Sequence, residues 1–429
     1  MITMTLLYAC KRNIMGNQKS KQINKTVTAE EILGNPTYQA ISYGGYRTNS
    51  REVQPTVAQI KDDMKILSAM GIKVLRTYNT HYDHASTVLK AIRELKEENP
   101  HFEMYVMLGV WIDCLNAFTP YPDHNQEDEV ANAAEIDRAM NMAIQYPDIV
   151  KIIAVGNEAM VKWAASYYVQ PAVILKWVNF LQIKKMEGIL PTDLWITSSD
   201  NFASWGGGDS LYHVEDLNNL IKAVDFISVH TYPMHDTHYN PIFWGVSEEE
   251  SDQPFEQKIE SAMDRATGYA ISQFEHTLNY MKSLGVEKPM HIGETGWASY
   301  SNSFYGENGS KATDEYKQAL YYKKIRKWSE IHGVSCFYFE AFDEIWKDAG
   351  NPGGSENYFG LFTVDGKAKY ALWDYVESGL FGDLFRDGNP IEKTYDGNFD
   401  ALIQNVSLPP YKQELEVDYH KLSTGSFER

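Results

Sequence analysis

The chain has 429 residues, enough for one large domain or two ordinary ones, and its 43% hydrophobic content with mixed charge marks a folded globular protein. A formal charge of −19 disfavours nucleic acid and anionic membrane surfaces as partners, because both attract basic faces. Aromatics reach 13%, with 28 tyrosines and 10 tryptophans; that suits the apolar C–H faces of sugar rings and large aromatic cores equally well.

The chain opens with "MITMTLLYAC", a short apolar leader ending at Cys10, followed by the polar, basic "KRNIMGNQKSKQINKT". This resembles the end of a bacterial lipoprotein signal, in which the cysteine is lipidated. Two departures stand: no Lys or Arg precedes the apolar part, and nine residues is short. The leader predicts export to the periplasm or the outer membrane, with membrane contact only through an anchor on Cys10. No later stretch approaches the ~20 apolar residues of a membrane span.

Eight β-rich apolar runs follow: "QAISYGG" (39–45), "IKVLRTY" (72–78), "EMYVMLGVW" (103–111), "IVKIIAVGN" (149–157), "LWITSSD" (194–200), "VDFISVHTY" (224–232), "PMHIGET" (289–295) and "GVSCFYFEAF" (333–342). Helical patterns lie between them. Val57, Ile60, Met64 and Leu67 recur at helical spacing, as do Val88, Ile92 and Leu95. Further helices are expected in 130–146, 172–186, 217–224, 271–284, 315–331 and 368–378, and long loops at 233–260 and 298–314. Strands apolar throughout, each followed by a helix, predict a parallel sheet covered by helices. Eight such units predict an α/β fold, a closed (β/α)8 TIM barrel. A doubly wound open sheet is the alternative, but no glycine-rich phosphate turn follows the first strand. The expected organisation is a leader and polar tether over 1–25, a single catalytic barrel over 26–385, and a C-terminal extension over 386–429. Cys114 and Cys336 sit in apolar runs and read as two packed thiols, not a redox pair.

In such barrels chemistry sits at the C-terminal ends of the strands. The polar residues there include Tyr43 and Arg47, Tyr78 and Asn79, Asn157 and Glu158, Asp200 and Asn201, His230 and Tyr232, Glu294 and Trp297, and Glu340 to Glu344. This set of acids, amides and aromatics suits a polyhydroxy substrate and disfavours a phosphorylated one. Glycoside hydrolysis needs two carboxyl groups across a glycosidic bond. Glu158 ends the fourth strand and Glu294 ends the seventh, so both would face the barrel mouth. Singly, Glu158 reads as a helix cap and Glu294 as a solvated loop acid. Together they read as a catalytic pair, with Trp297 placed to cover a sugar face. Arg76, inside the second strand, fits either electrostatic tuning of an acid or a plain structural ion pair.

The motifs "VGNEAM", "HIGETGWAS", "FYFEAFDEIWK" and "SENYFGLF" resemble those of glycoside hydrolase family 17, the β-1,3-glucanases and related glucanosyltransferases, and "VDFISVHTYP" is similar to that family's sixth strand. The resemblance covers residues 38 to 375. It implies a retaining double displacement with Glu158 as general acid/base and Glu294 as nucleophile. It also implies that Asn157 binds the sugar's 2-hydroxyl, that Glu344 and Lys347 support the site, and that Glu356 is a further acid. Two departures are local. "DAGNPGG" lengthens the loop before Glu356, and Ala298 stands where many members carry proline.

The expected function is hydrolysis of a β-1,3-glucan polysaccharide or oligosaccharide by a laminarinase-type enzyme. The alternatives are a glucanosyltransferase using the same covalent intermediate, with Trp205, Trp346 and Phe202 as candidate acceptor-side aromatics, and, more remotely, a non-catalytic glucan-binding protein. No cofactor and no metal are expected. The pairs His81/His84 and His235/His238 have metal-ligand spacing but lack a third assigned ligand. The acidic run "SEEESDQ" (247–253) reads as a solvated loop, and a monomer is expected.

Overall fold

The computed structural model describes residues 27–415, so Cys10 and the chain from 416 onward lie outside the described residues. Eight parallel strands close into a barrel: β1 (Gln39–Ser42), β2 (Ile72–Arg76), β3 (Tyr105–Val110), β4 (Val150–Asn157), β5 (Trp195–Asn201), β6 (Ile227–His230), β7 (Met290–Gly296) and β8 (Cys336–Phe339). Each pairs with its sequence neighbour, and β8 returns to β1 with Ala40 opposite Phe337 and Ile41 opposite Tyr338. All eight predicted strands are present, and this is the (β/α)8 barrel.

Helices follow the strands: α1 (Val57–Ala69), α2 (His84–Glu98), α3 (Glu129–Gln145), α4 (Pro171–Met186), α5 (Glu215–Ala223), α6 (Phe255–Ser283), α7 (Glu315–His332) and the short α8 (Trp373–Glu377). Local chemistry fixes their ends. Thr56 and Gln59 form a reciprocal capping box at the start of α1. Pro171 opens α4, and Gly333 ends α7 in the left-handed conformation. The apolar stripes read from the sequence are buried, with Ile60, Met64 and Leu67 on α1 and Val88, Ile92 and Leu95 on α2.

The core has two layers. Inside the barrel, Ala40, Val74, Met107, Ile152, Phe226 and Phe337 pack together, and a one-turn helix (Ala29–Ile32) closes the bottom with Ala29 and Ile32. A larger cluster fills the space between barrel and helices. With the floor sealed, the open end is the C-terminal rim.

The expected loop over 233–260 is largely ordered structure. A short helix (Pro233–Tyr239) opens it, and α6 begins at Phe255 and runs for 29 residues. Its first half buries Ile259, Ala262, Met263 and Ala266, which recur at helical spacing. Within the acidic run, Glu250 is drawn inward by Arg265 and accepts from the Ser247 N–H at 2.8 Å, while Glu248 and Glu249 stay exposed. The C-terminal extension packs along the barrel as far as it is described. Buried Arg386 donates to Asp63 at 3.0 Å, Leu402 is buried, and Val246 pairs with Tyr411. Cys114 and Cys336 are buried free thiols.

Candidate active site

Glu158 and Glu294 line one cleft of about 780 Å³ at the C-terminal rim. Their strands end there by construction: His230 on β6 sits opposite Glu294 on β7, and Asn157 on β4 opposite Ser199 on β5. The backbone explains the glycine before each acid. Gly156 has φ +82°, a region that costs glycine little, and lets β4 swing out so that Glu158 (φ +46°) turns toward the cleft. A side chain on Gly293 would put its Cβ 1.9 Å from the Ser228 Oγ, so only glycine fits behind Glu294. Asp200 locks the turn after Glu158 by accepting the Met160 N–H at 2.7 Å.

Glu294 is almost enclosed. Arg76 donates from Nη1 to its Oε2 at 2.6 Å, the Tyr78 hydroxyl donates to the same oxygen at 2.8 Å, and the Tyr232 hydroxyl donates to Oε1 at 2.5 Å. Burial alone would raise its pKa. Arg76, then His230 and the two phenols, outweigh burial and hold the carboxyl below the usual carboxylate range. Both phenols are pushed well above their ordinary value, first by burial and then by the Glu294 charge, so they remain donors. Arg76 also bonds the Asn157 Oδ1 at 2.5 Å and the Gly293 carbonyl at 2.7 Å. Arg76 thus serves as the counter-ion of Glu294, and it ties β2, β4 and β7 together.

Glu158 is held more loosely. Its Oε1 lies 3.2 Å from the His230 Nδ1, and the His230 Nε2 lies 2.8 Å from the Ser199 Oγ, itself 2.8 Å from the Ser228 Oγ. An ionised carboxylate only accepts, so beside an ionised Glu158 the His230 Nδ1 carries a proton. A quarter of the Glu158 side chain meets solvent, against 9% for Glu294.

Beside Phe339 of the cleft lining, Lys347 bonds Glu340 at 2.9 Å, lies 3.4 Å from Glu344, and rests over the Phe339 ring at 3.9 Å. Burial drives Glu340 well above its ordinary value, and Lys347 opposes that shift. Glu344 accepts from the Trp346 indole at 3.1 Å and from the Tyr46 N–H at 3.4 Å. Glu356, despite the lengthened loop, reaches the cleft rim, where the His235 Nε2 stands 3.7 Å from it. The sequence grouped Glu340 with its neighbours without singling it out. The available signal was position, since Glu340 stands at the C-terminal end of its strand, as Glu158 and Glu294 do at theirs.

Several expected contacts are corrected. Tyr43 is fully buried and donates to Asp63 at 2.8 Å, in a cluster with Arg47 and Arg386 that joins the first loop to the C-terminal extension. Asp200 is fully buried behind the Glu158 turn and cannot touch substrate. Trp297 is also fully buried: its indole N–H donates to the Ala312 carbonyl at 2.8 Å and its ring packs against Trp244 and Tyr321. It covers no sugar. Trp205 is likewise internal, donating to the Ser228 carbonyl. Trp346 is half-buried against Tyr46 and Arg51. Asn201 and Phe202 do line the cleft, and the aromatic wall the sequence did not single out is Trp163, Tyr305, Phe339 and Phe359. Among the described residues no group of three or more His, Cys, Asp or Glu is set to hold a metal. His81 faces Glu135, buried His84 stacks on Tyr46, and His238 stacks on Phe304.

Residues 40–360 match the BtgE/BtgC glycoside hydrolase domain. An endo-laminarinase from Formosa Hel1_33_131 is 65% identical, with a TM-score of 0.89 over 90% of this chain and 98% of that one. A glucan 1,3-beta-glucosidase of Arthroderma benhamiae is 25% identical over 73% of this chain and 83% of its own length. A probable glucan endo-1,3-beta-glucosidase, btgC, of Aspergillus fumigatus is 25% identical over 71% of this chain, which spans 37% of that longer protein. Both the matched domain and the four motifs place this chain in one family: it belongs to the BtgE/BtgC glycoside hydrolases, within glycoside hydrolase family 17.

Proposed function

We propose that the protein is an endo-acting β-1,3-glucanase of laminarinase type that retains anomeric configuration. The observation that carries the reading is the unequal treatment of two carboxylates at one cleft. Glu294 is held ionised and aimed by one cation and two phenols, and Glu158 is solvent-accessible beside one imidazole. The 65% identity to an endo-laminarinase supports the substrate and the mode of attack. Glu294 attacks the anomeric carbon while Glu158 gives its proton to the departing glycosidic oxygen, leaving a glycosyl ester on Glu294. Glu158, now ionised, takes a proton from water as the water oxygen attacks the same carbon. The ester breaks, Glu294 returns as carboxylate, and the sum is one water added across one linkage. We assign to Asn157, whose Oδ1 is held by Arg76, the sugar's 2-hydroxyl, a contact that would tighten as the ring flattens.

Digestion of linear and branched β-1,3-glucans, with mixed-linkage glucan and cellulose as controls, tests the reading. Early release of mixed oligosaccharides from linear β-1,3-glucan, with the β-anomer formed first by NMR, is expected. An α-anomer formed first would remove the covalent step, and products longer than the substrate would favour transfer. A polymeric substrate also supports the export reading of the leader, which metabolic labelling of the Cys10→Ala variant with a radioactive fatty acid would check.

A further inference from the structure

Among the described residues that line the cleft, His235 is the one basic side chain, set among the acids Glu158, Asp236, Glu294 and Glu356. It stands on the short helix after β6 (Pro233–Tyr239), and Glu356 stands on a one-turn helix after β8 (Ser355–Tyr358). In the barrel β6 and β8 flank β7, which carries Glu294. The His235 Nε2 lies 3.7 Å from the Glu356 Oε1, so the two form an ion pair whenever the imidazole is protonated. Both side chains are partly exposed, so the proton can come and go without unfolding. The imidazole also packs among aromatics. It stacks on Tyr232, with centroids 5.1 Å and planes 17° apart, lies 5.5 Å from Tyr305, and makes a T-shaped contact with Phe359 at 6.0 Å. Tyr232 makes its own T-shaped contacts with Phe339 and Phe359, so His235 supplies the stacking contact on its face. The phenol held this way is one of the two that donate to Glu294.

From this arrangement we propose that His235 is a positioning residue: tied to Glu356 and stacked on Tyr232, it fixes the phenol that aims Glu294 at the anomeric carbon. The proposal rests on the glucanase reading and adds a control on the nucleophile that acts through Tyr232. A charged imidazole suits this place better than a neutral one, because a cation is drawn to the electron-rich face of a phenol and Glu356 supplies the counter-charge. Burial opposes the charged form, but Glu356, then Glu158 and Asp236, outweigh it and hold the His235 pKa above the ordinary histidine range. Burial would raise Glu356 as well, but His235 and then Lys347 hold it below its usual value, with Glu294 working against them. As pH rises through the raised His235 pKa, the ion pair is lost and Tyr232 is held less firmly.

The test is the pH dependence of kcat/KM on an activated aryl laminari-oligosaccharide. Its leaving group needs no proton, so ionisation of Glu158 at high pH does not slow the step measured. Tyr78 and Tyr232 titrate well above the ordinary phenol range and do not intrude. In the wild type kcat/KM falls on the alkaline side as His235 loses its proton. In His235→Phe, which keeps a ring in the stack without the charge, that fall disappears and the plateau is about fivefold lower. In Glu356→Gln, which removes the counter-ion, the fall moves to lower pH. A wild type with no alkaline fall overturns the proposal, and so does a loss in His235→Phe by one factor at every pH, which is what a packing role would give. If His235→Phe melts early, Glu356→Gln decides alone, and a fall that stays in place overturns the proposal. A wild type that cleaves neither this substrate nor laminarin defeats the glucanase reading itself, an outcome distinct from a variant that merely changes its pH profile.

Discussion

Glu294 meets a guanidinium and two phenols within 2.8 Å, whereas Glu158, on the same rim, meets one imidazole at 3.2 Å. The difference follows from what each is proposed to do. A nucleophile has to stay charged and aimed through the first step, so a buried site with a cation suits it. A general acid that becomes a base within one cycle has to exchange its proton with the leaving group and then with water, so solvent access and a single adjustable partner suit it. Tight and loose surroundings are therefore two halves of one device, and each half can be broken separately.

The largest effect is expected from Glu294→Gln, which removes the attacking oxyanion while keeping shape: kcat on laminarin should fall on the order of 10⁴-fold. Residual activity within tenfold of wild type, after checking for contaminating glucanase, would end its assignment as nucleophile. Glu158→Gln should cost about 10²- to 10⁴-fold on laminarin, and far less on an aryl glycoside whose leaving group needs no proton. Equal losses on both substrates would mean that Glu158 does not act as the acid.

Arg76→Met sharpens the comparison, because it makes the tight half loose. Without the guanidinium burial loses its strongest opponent, so the Glu294 pKa should rise and the acidic limb of the kcat/KM profile should move to higher pH, with about a 10²-fold loss at the wild-type optimum. The sign for stability follows from the direction of the shift. In the folded wild type Glu294 is held below its ordinary 4.5, so its contribution is present above that value and is lost as pH falls through the depressed folded pKa. With the largest opposing influence gone the depression shrinks, so less stability is lost on acidification than in the wild type. Thermal melts of the two proteins should therefore converge on acidification; melts that stay parallel would count against Arg76 as the dominant influence. The smallest effect is expected from Tyr78→Phe, about fivefold in kcat, since two donors to Glu294 remain. A loss as large as that of Arg76→Met would show that the phenol, not the cation, fixes the carboxylate.

Most of the frame was legible because barrel strands are apolar on both faces and their helices are not. That contrast located eight strands, and Glu158 and Glu294 as strand-end acids. Trp297 shows where such reading stops. An indole three residues past Glu294 can turn toward the cleft or back toward the core, and one-dimensional spacing is the same for both. Here Trp244, Tyr321 and the Ala312 carbonyl draw it inward. Tyr43 was misread for the same reason, its partner Asp63 lying on α1 and Arg386 in the C-terminal extension. The first half of α6 did carry helical spacing, but the acidic run before it read as a solvated loop and the insert read as running to residue 260.

By itself the sequence determined the repeat of strand and helix, the barrel that repeat closes into, and which acids stand at strand ends, because these depend on local periodicity and on chain connectivity. Only the tertiary structure decided which of those acids is wrapped by Arg76, Tyr78 and Tyr232 and which aromatics face the cleft. Those outcomes depend on contacts between residues tens to hundreds of positions apart, whose distances are fixed only once the ring of strands has closed.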